Sequence, residues 1–181
     1  MQSELVRRAQ QGDEEAFAAL VPAAVDRLIA VAYRILRDPG LAEDATQQAL
    51  VIAWRKLPTL RDPDRFDAWT YRLVVNACYA EAGRRPSKVT ALRLLPDDAA
   101  VVDSSAQTHD RDRLDRGFQK LSLAHRTVVV LHLYVGLPFE EIAAMLDIPI
   151  GTARSRLHYA TRALRSAIEA DDTATAIRGT A

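Results

Sequence analysis

Pro138-Phe-Glu-Glu-Ile-Ala-Ala-Met-Leu-Asp-Ile-Pro-Ile-Gly-Thr-Ala-Arg-Ser-Arg-Leu-His-Tyr-Ala-Thr-Arg-Ala-Leu164 is the stretch whose reading decides the fold. Two short periodic segments flank a tight break at Asp147-Ile-Pro-Ile150. In the first, Pro138 suits an opening turn, and Glu140 and Glu141 complement the positive end of a helix dipole. Ile142, Met145 and Leu146 form its apolar stripe, and Ala143 is small enough for a second helix to cross closely. Ile148 fills the angle between the helices. The second segment has Ala153, Leu157, Ala160 and Leu164 at helical spacing for burial. That leaves Gly151, Thr152, Arg154, Ser155, His158 and Tyr159 outward near its start, residue types that reach phosphates and base edges in a major groove. The pattern predicts a helix-turn-helix that binds DNA.

Charge agrees with that reading. The chain is neutral overall, with 24 basic and 24 acidic side chains, so it is not a uniformly basic wrapper of nucleic acid. Within residues 150–166, however, Arg154, Arg156, Arg162 and Arg165 stand without an acid, so Arg154 has no neutralising partner in its own segment.

Working toward the N-terminus, periodicity fades before Leu114. Residues 94–110 carry Asp97, Asp98, Asp103 and Asp110 with no Lys or Arg, an acidic linker over about 86–113. A first block precedes it. Apolar residues recur at helical spacing from Leu5 to Leu36, with a break at Gly12-Asp13. Arg37-Asp-Pro-Gly40 reads as a turn, Leu41–Leu57 as a helix stopped by Pro58, and Phe66–Ala82 as another helix ended by Gly83-Arg84-Arg85-Pro86. In the first of these helices Ala45, Ala49, Ile52 and Ala53 can face a core, leaving Asp44, Gln47, Gln48 and Val51 on another face. In the second, Phe66, Trp69, Leu73 and Ala80 share a face and are assigned to the core, as is Trp54. Arg72, Asn76 and Tyr79 then fall on or near the opposite face. No run alternates with period two. The chain is predicted all-α: two small helical domains, residues 1–85 and 114–170, joined by a flexible linker, with a flexible tail at 171–181.

Composition removes several function classes. The single cysteine, Cys78, forbids an internal disulfide, and the four histidines lack metal-ligand spacing. No cofactor or metal site is expected, and no catalysis. The N-terminus lacks a signal-peptide core, and the longest nearly apolar stretch, residues 128–139, is too short to span a bilayer. A cytoplasmic protein without membrane insertion is expected.

Phe139-Glu-Glu-Ile-Ala-Ala-Met-Leu-Asp-Ile-Pro-Ile-Gly-Thr-Ala-Arg-Ser-Arg-Leu157 resembles the motif that reads the −35 promoter element in extracytoplasmic-function (ECF) sigma factors. Gly12-Asp13-x-x-Ala16-Phe17 is similar to that family's opening. Ala42-Glu-Asp-Ala-Thr-Gln47, followed by Ala53-Trp54-Arg55, resembles its polymerase-docking helix. Phe66-x-x-Trp69-x-Tyr71-Arg72-Leu73-x-x-Asn76 resembles the helix that opens the −10 element. The likeness covers residues 5–85 and 114–168, with departures at Ala80, Gly83, Ala153 and Tyr159.

The resemblance implies a protein that binds core RNA polymerase and promoter DNA and directs initiation. It assigns Asp44, Gln47, Gln48 and Val51 to the polymerase. The −10 element falls to Arg61, Arg72, Asn76, Tyr79, Arg84 and Arg85, with the loop Leu60–Arg65 walling a pocket for an extruded base. Gly151, Thr152, Arg154, Ser155, His158 and Tyr159 fall to the −35 element. It also admits an anti-sigma factor as partner. The rival reading is a stand-alone helix-turn-helix regulator, which leaves the motifs of the first block without a task.

Overall fold

In the computed structural model, residues 1–84 and 115–178 are described, with side chains to residue 166. Arg85 and the linker 86–113 lie outside the described residues, as do residues 179–181. The described residues are helical or turn, with no strand among them, and the chain divides into two compact units.

The first unit begins with α1 (Gln2–Gln10), which ends at Gly12 with a positive φ of 91°. Asp13 then caps α2 (Glu14–Leu36), its carboxylate accepting from the Ala16 amide at 2.9 Å. Arg37 takes the left-handed conformation and its amide donates to the Tyr33 carbonyl, while Asp38 accepts from the Leu41 amide. The turn is therefore only two residues long. Pro39 and Gly40, expected in it, already form the first turn of α3 (Pro39–Lys56), where proline's missing N–H has no helical partner to lose. A 3-10 turn at Leu57–Thr59 and another at Pro63–Arg65 lead into α4 (Phe66–Arg84).

Alanines Ala42, Ala45, Ala49 and Ala53 line the buried side of α3, which lets α2 and α4 pack close on it. The base of the unit is an apolar cluster of Val6, Ala9, Ala16, Leu20, Leu57, Leu60 and Phe66. Gln10 ties α1 to the turn beneath by donating to the Leu57 and Leu60 carbonyls.

Two burial expectations for the first unit are corrected here. The buried face of α4 is Phe66, Thr70, Val74, Val75, Ala77, Cys78 and Glu81; Trp69 and Leu73 are half-buried and Ala80 is exposed. Trp54 is 36% exposed, leaning on Phe17 with ring centroids 4.8 Å apart. By length and composition α2 is the one helix among the described residues that could cross a membrane, with a mean hydropathy of 1.6 over a membrane-length window. It carries Asp26, Arg27 and Arg34, and it packs as a core helix against α1, α3 and α4.

In the second unit residues 115–120 are helical. Ser122 caps α5 (Leu123–Val129), which widens into a π-helical turn at Val130–Tyr134. Gly136, at a φ of 85°, turns the chain toward α6 (Phe139–Leu146), with Pro138 as its cap rather than inside its first turn. Asp147 closes α6 in the left-handed region, which a short polar side chain tolerates, and the Ile148 amide returns to the Ala143 carbonyl. The last helix, α7 (Ile150–Arg178), continues through Ala170, where the second domain was expected to end, so backbone read as tail is helical to Arg178. Leu121, Val129, Ala160 and Leu164 form a core with Phe118 and Leu157 against it. Ile142, Ala143, Met145 and Ala153 are buried where α6 and α7 meet, but Leu146 and Ile148 are only half-buried.

Candidate nucleic-acid interface

Ala153, Ala160 and Leu164 face inward on α7, and this orients the opposite side of the helix. Gly151, Arg154, Ser155, His158 and Tyr159 are exposed there, and Thr152 is half-buried. Tyr159 is 61% exposed, with its ring edge-on to His158. The Ser155 hydroxyl donates to the Thr152 carbonyl at 3.0 Å, so its proton is used within the helix and its lone pairs point outward as acceptors. Arg162 and Arg165 extend the same basic side. The expectation that Arg154 lacks a neutralising acid is corrected: its guanidinium lies 3.7 Å from Glu140 on α6 and over the Phe139 ring.

On α4 the exposed side is centred on Asn76. Arg72 and Tyr79 flank it, and the half-buried Trp69 and Leu73 and the exposed Ala80 border the same side. Asn76 therefore shares a face with the aromatic residues instead of opposing them. An amide that can both donate and accept stands beside apolar ring surface, which is what capture of an unpaired base requires. Arg84 is also exposed but its guanidinium is engaged by Glu81 at 2.5 Å.

The neighbouring loop is held by residues that the sequence reading did not single out. Ser3 donates to Asp64, and Asp67 accepts from Gln2 at 2.7 Å and from Arg27 at 2.6 Å. Asp62 caps its own 3-10 turn through the Asp64 amide, while Arg61 stays exposed. Nothing in the local sequence links α1 to a loop some sixty residues away; only the packing of α1 across the base of the unit brings them together.

On α3, Asp44, Gln47 and Val51 are exposed along one stripe, and Gln48 is half-buried at its edge. The Gln48 side-chain oxygen is turned inward and accepts no hydrogen bond among the described residues. Beyond Val51, the exposed Trp54 and Phe17, Val21 and Pro22 of α2 line an open apolar groove.

Each of the two units matches a known family. Residues 20–85 match the family model for sigma-70 region 2, and residues 117–166 match that for sigma-70 region 4. The RNA polymerase sigma-H factor of Pseudomonas aeruginosa is 32% identical, over 92% of this chain and 93% of that protein. The ECF RNA polymerase sigma-E factor of Escherichia coli K12 is also 32% identical, over 91% and 93% respectively. The structure of CnrH in complex with the cytosolic domain of CnrY has a similar fold, with a TM-score of 0.65 and 26% identity over 94% of this chain and 98% of that one. The region 2 match accounts for the first block, which a stand-alone helix-turn-helix regulator would leave unexplained. The chain belongs to the ECF RNA polymerase sigma factors, which bind core polymerase and promoter DNA and direct transcription initiation.

Proposed function

We propose how the labour is divided between the two units. The first unit, residues 1–85, docks on core polymerase through Asp44, Gln47, Gln48 and Val51. It opens the −10 element through Arg61, Arg72, Asn76, Tyr79, Arg84 and Arg85. The second, residues 114–170, reads the −35 element through Gly151, Thr152, Arg154, Ser155, His158 and Tyr159. The linker tethers them inside the cytoplasm, where polymerase and promoter are found. The protein works by binding and by trapping an opened base, without catalysing a reaction.

One observation carries the reading: the exposed side of α4 is centred on an amide bordered by aromatic and basic side chains, a surface suited to an unpaired base and its backbone. An anti-sigma factor is the remaining partner. CnrH, of similar fold, was solved bound to the cytosolic domain of CnrY, so a protein can dock on this architecture.

Run-off transcription with core polymerase tests the whole assignment, and co-purification tests the docking face. Asp44→Ala with Gln47→Ala is expected to weaken retention on core while helical content stays at the wild-type level. Wild-type retention by the double variant would move the docking face elsewhere.

A further inference from the structure

Arg154 is held between two residues of the other helix in the helix-turn-helix. Its guanidinium carbon stands 5.7 Å from the Phe139 ring centroid, and Nη2 lies 3.7 Å from Oε1 of Glu140. The ring beneath it is itself anchored. Phe139 stacks on His132 with centroids 4.3 Å apart and planes 23° from parallel. His132 Nδ1 lies 2.9 Å from the Leu137 carbonyl oxygen. A carbonyl can only accept, so Nδ1–H donates and the imidazole plane is set by the backbone. The Leu137 amide in turn donates to the Leu131 carbonyl. A continuous stack thus runs from the π-helical turn through the first turn of α6 to the recognition helix.

We infer that Phe139 and Glu140 are positioning residues for Arg154, and that they make its contact selective for a guanine edge over a phosphate. The inference rests on the proposed reading of Arg154 as a base contact. An unrestrained arginine on an exposed helix can swing to the nearest phosphate, a contact that carries no sequence information. A guanidinium resting on a fixed ring, with one edge turned to a carboxylate, offers its remaining N–H groups in one direction. Guanine O6 and N7 form an acceptor pair that matches such a fork. The Glu140 carboxylate also repels phosphate oxygens from the same place. Both side chains of the ion pair are 63% exposed, so the pair adds little to folding stability. Its consequence is directional.

Holoenzyme assembled from core polymerase and the full chain provides the test. Duplexes selected from a randomised −35 segment supply a preferred sequence and a panel of single-base variants, measured at two salt concentrations. Glu140→Gln should tighten binding to the non-preferred variants and steepen the salt dependence. The preferred-to-variant affinity ratio should fall about five- to tenfold, the lower end of the scale on which one base contact discriminates. Phe139→Leu should lower the ratio in the same direction, and Glu140→Asp should restore most of it. In an Arg154→Ala background, Glu140→Gln should leave the ratio unchanged. Circular dichroism of Glu140→Gln checks that the helices persist.

An equal effect of Glu140→Gln with and without Arg154 overturns the inference, because Glu140 then acts through bulk charge or reads a cytosine amine itself. If Arg154→Ala collapses the ratio but Glu140→Gln does not, positioning fails while base reading by Arg154 stands. If Arg154→Ala leaves the ratio intact, both fail.

Discussion

Arg84 donates to the Glu81 carboxylate at 2.5 Å across one turn of α4, and Glu81 is only 5% exposed. A carboxylate on the buried face of its helix, in line with Val74 and Cys78, needs a cation, and Arg84 reaches back from the helix end to supply it. The arginine side chain is itself mostly exposed, so it can meet a phosphate with its remaining N–H groups.

Arg84→Ala is therefore expected to destabilise the first unit, and not only to weaken DNA binding. The loss should be about 1–2 kcal/mol, the cost of leaving a charged acceptor unsatisfied, moderated by the exposure of the arginine. Glu81→Gln combined with Arg84→Ala should recover most of it. Both tryptophans, Trp54 and Trp69, lie in the first unit, so their fluorescence in urea reports on that unit. Wild-type stability of Arg84→Ala would show the pair to be idle.

Asp13 ties the start of the fold to pH. The Ala16 amide, and after it the Arg8 guanidinium, hold its carboxyl below the ordinary aspartate value of 3.8. A depressed value means that the stabilisation is present above the unfolded-state value and is lost as pH falls through the lower folded-state value. Asp13→Ala should be less stable than wild type at neutral pH, with the gap closing as the pH drops below the usual carboxylate range. Asp13→Asn retains an acceptor for the cap, so it should lie nearer wild type and lack this acid dependence. Urea titrations between neutral and acid pH decide it; a constant gap across that range would assign the effect to something other than the charged cap.

Cys78 makes a convenient clock for opening of the same unit. It is buried on α4, and burial pushes its thiol up to about 12. At pH 8 the native thiol is neutral and screened, so a disulfide reagent should label it only through opening of the helices around it. Labelling should accelerate in urea and in Arg84→Ala, in step with the loss of stability. Rapid labelling of the native wild-type protein would contradict the burial.

The helix-turn-helix was legible because its signals are local: Gly151-Thr152 after a short break, Ala143 and Ala153 at the crossing, and an arginine-rich segment. The face of α4 was not. Phe66 is buried as expected, but Trp69, Leu73 and Ala80 keep helical spacing with it as well as Thr70, Val74, Ala77 and Glu81 do, and weighting by size favours the former set. Packing reverses the choice, because the alanine face of α3 comes so close that small and β-branched residues fill the space between them. Trp54 was misplaced for the same reason: its ring is accommodated by Phe17 at the rim rather than among the alanines. The partner of Arg154 was invisible to a charge count along α7 because Glu140 stands on the preceding helix. Charge patterning reports on one segment at a time, whereas a crossing of helices pairs residues from two.

Asn76 occupies the centre of the exposed side of α4, away from the buried Val74, Val75 and Ala77, so its amide is available to a ligand without disturbing the core. If that ligand is an unpaired base, its contribution arises only after the duplex opens, whereas arginines attract duplex phosphates from the first encounter. Asn76→Ala should therefore reduce promoter opening more than initial promoter binding. The expected loss is about 1–2 kcal/mol, roughly tenfold in the opening equilibrium, as for one base contact. Permanganate reactivity of the −10 thymines reads opening, and electrophoretic mobility reads binding, on duplex and on artificially pre-melted templates. On a pre-melted template the strands are already apart, so the variant should still hold the single strand less tightly while closed-complex binding to the duplex stays near wild type. An equal loss in duplex binding and in opening would assign Asn76 to the closed complex. A loss of urea stability accompanying it would assign Asn76 to the fold instead.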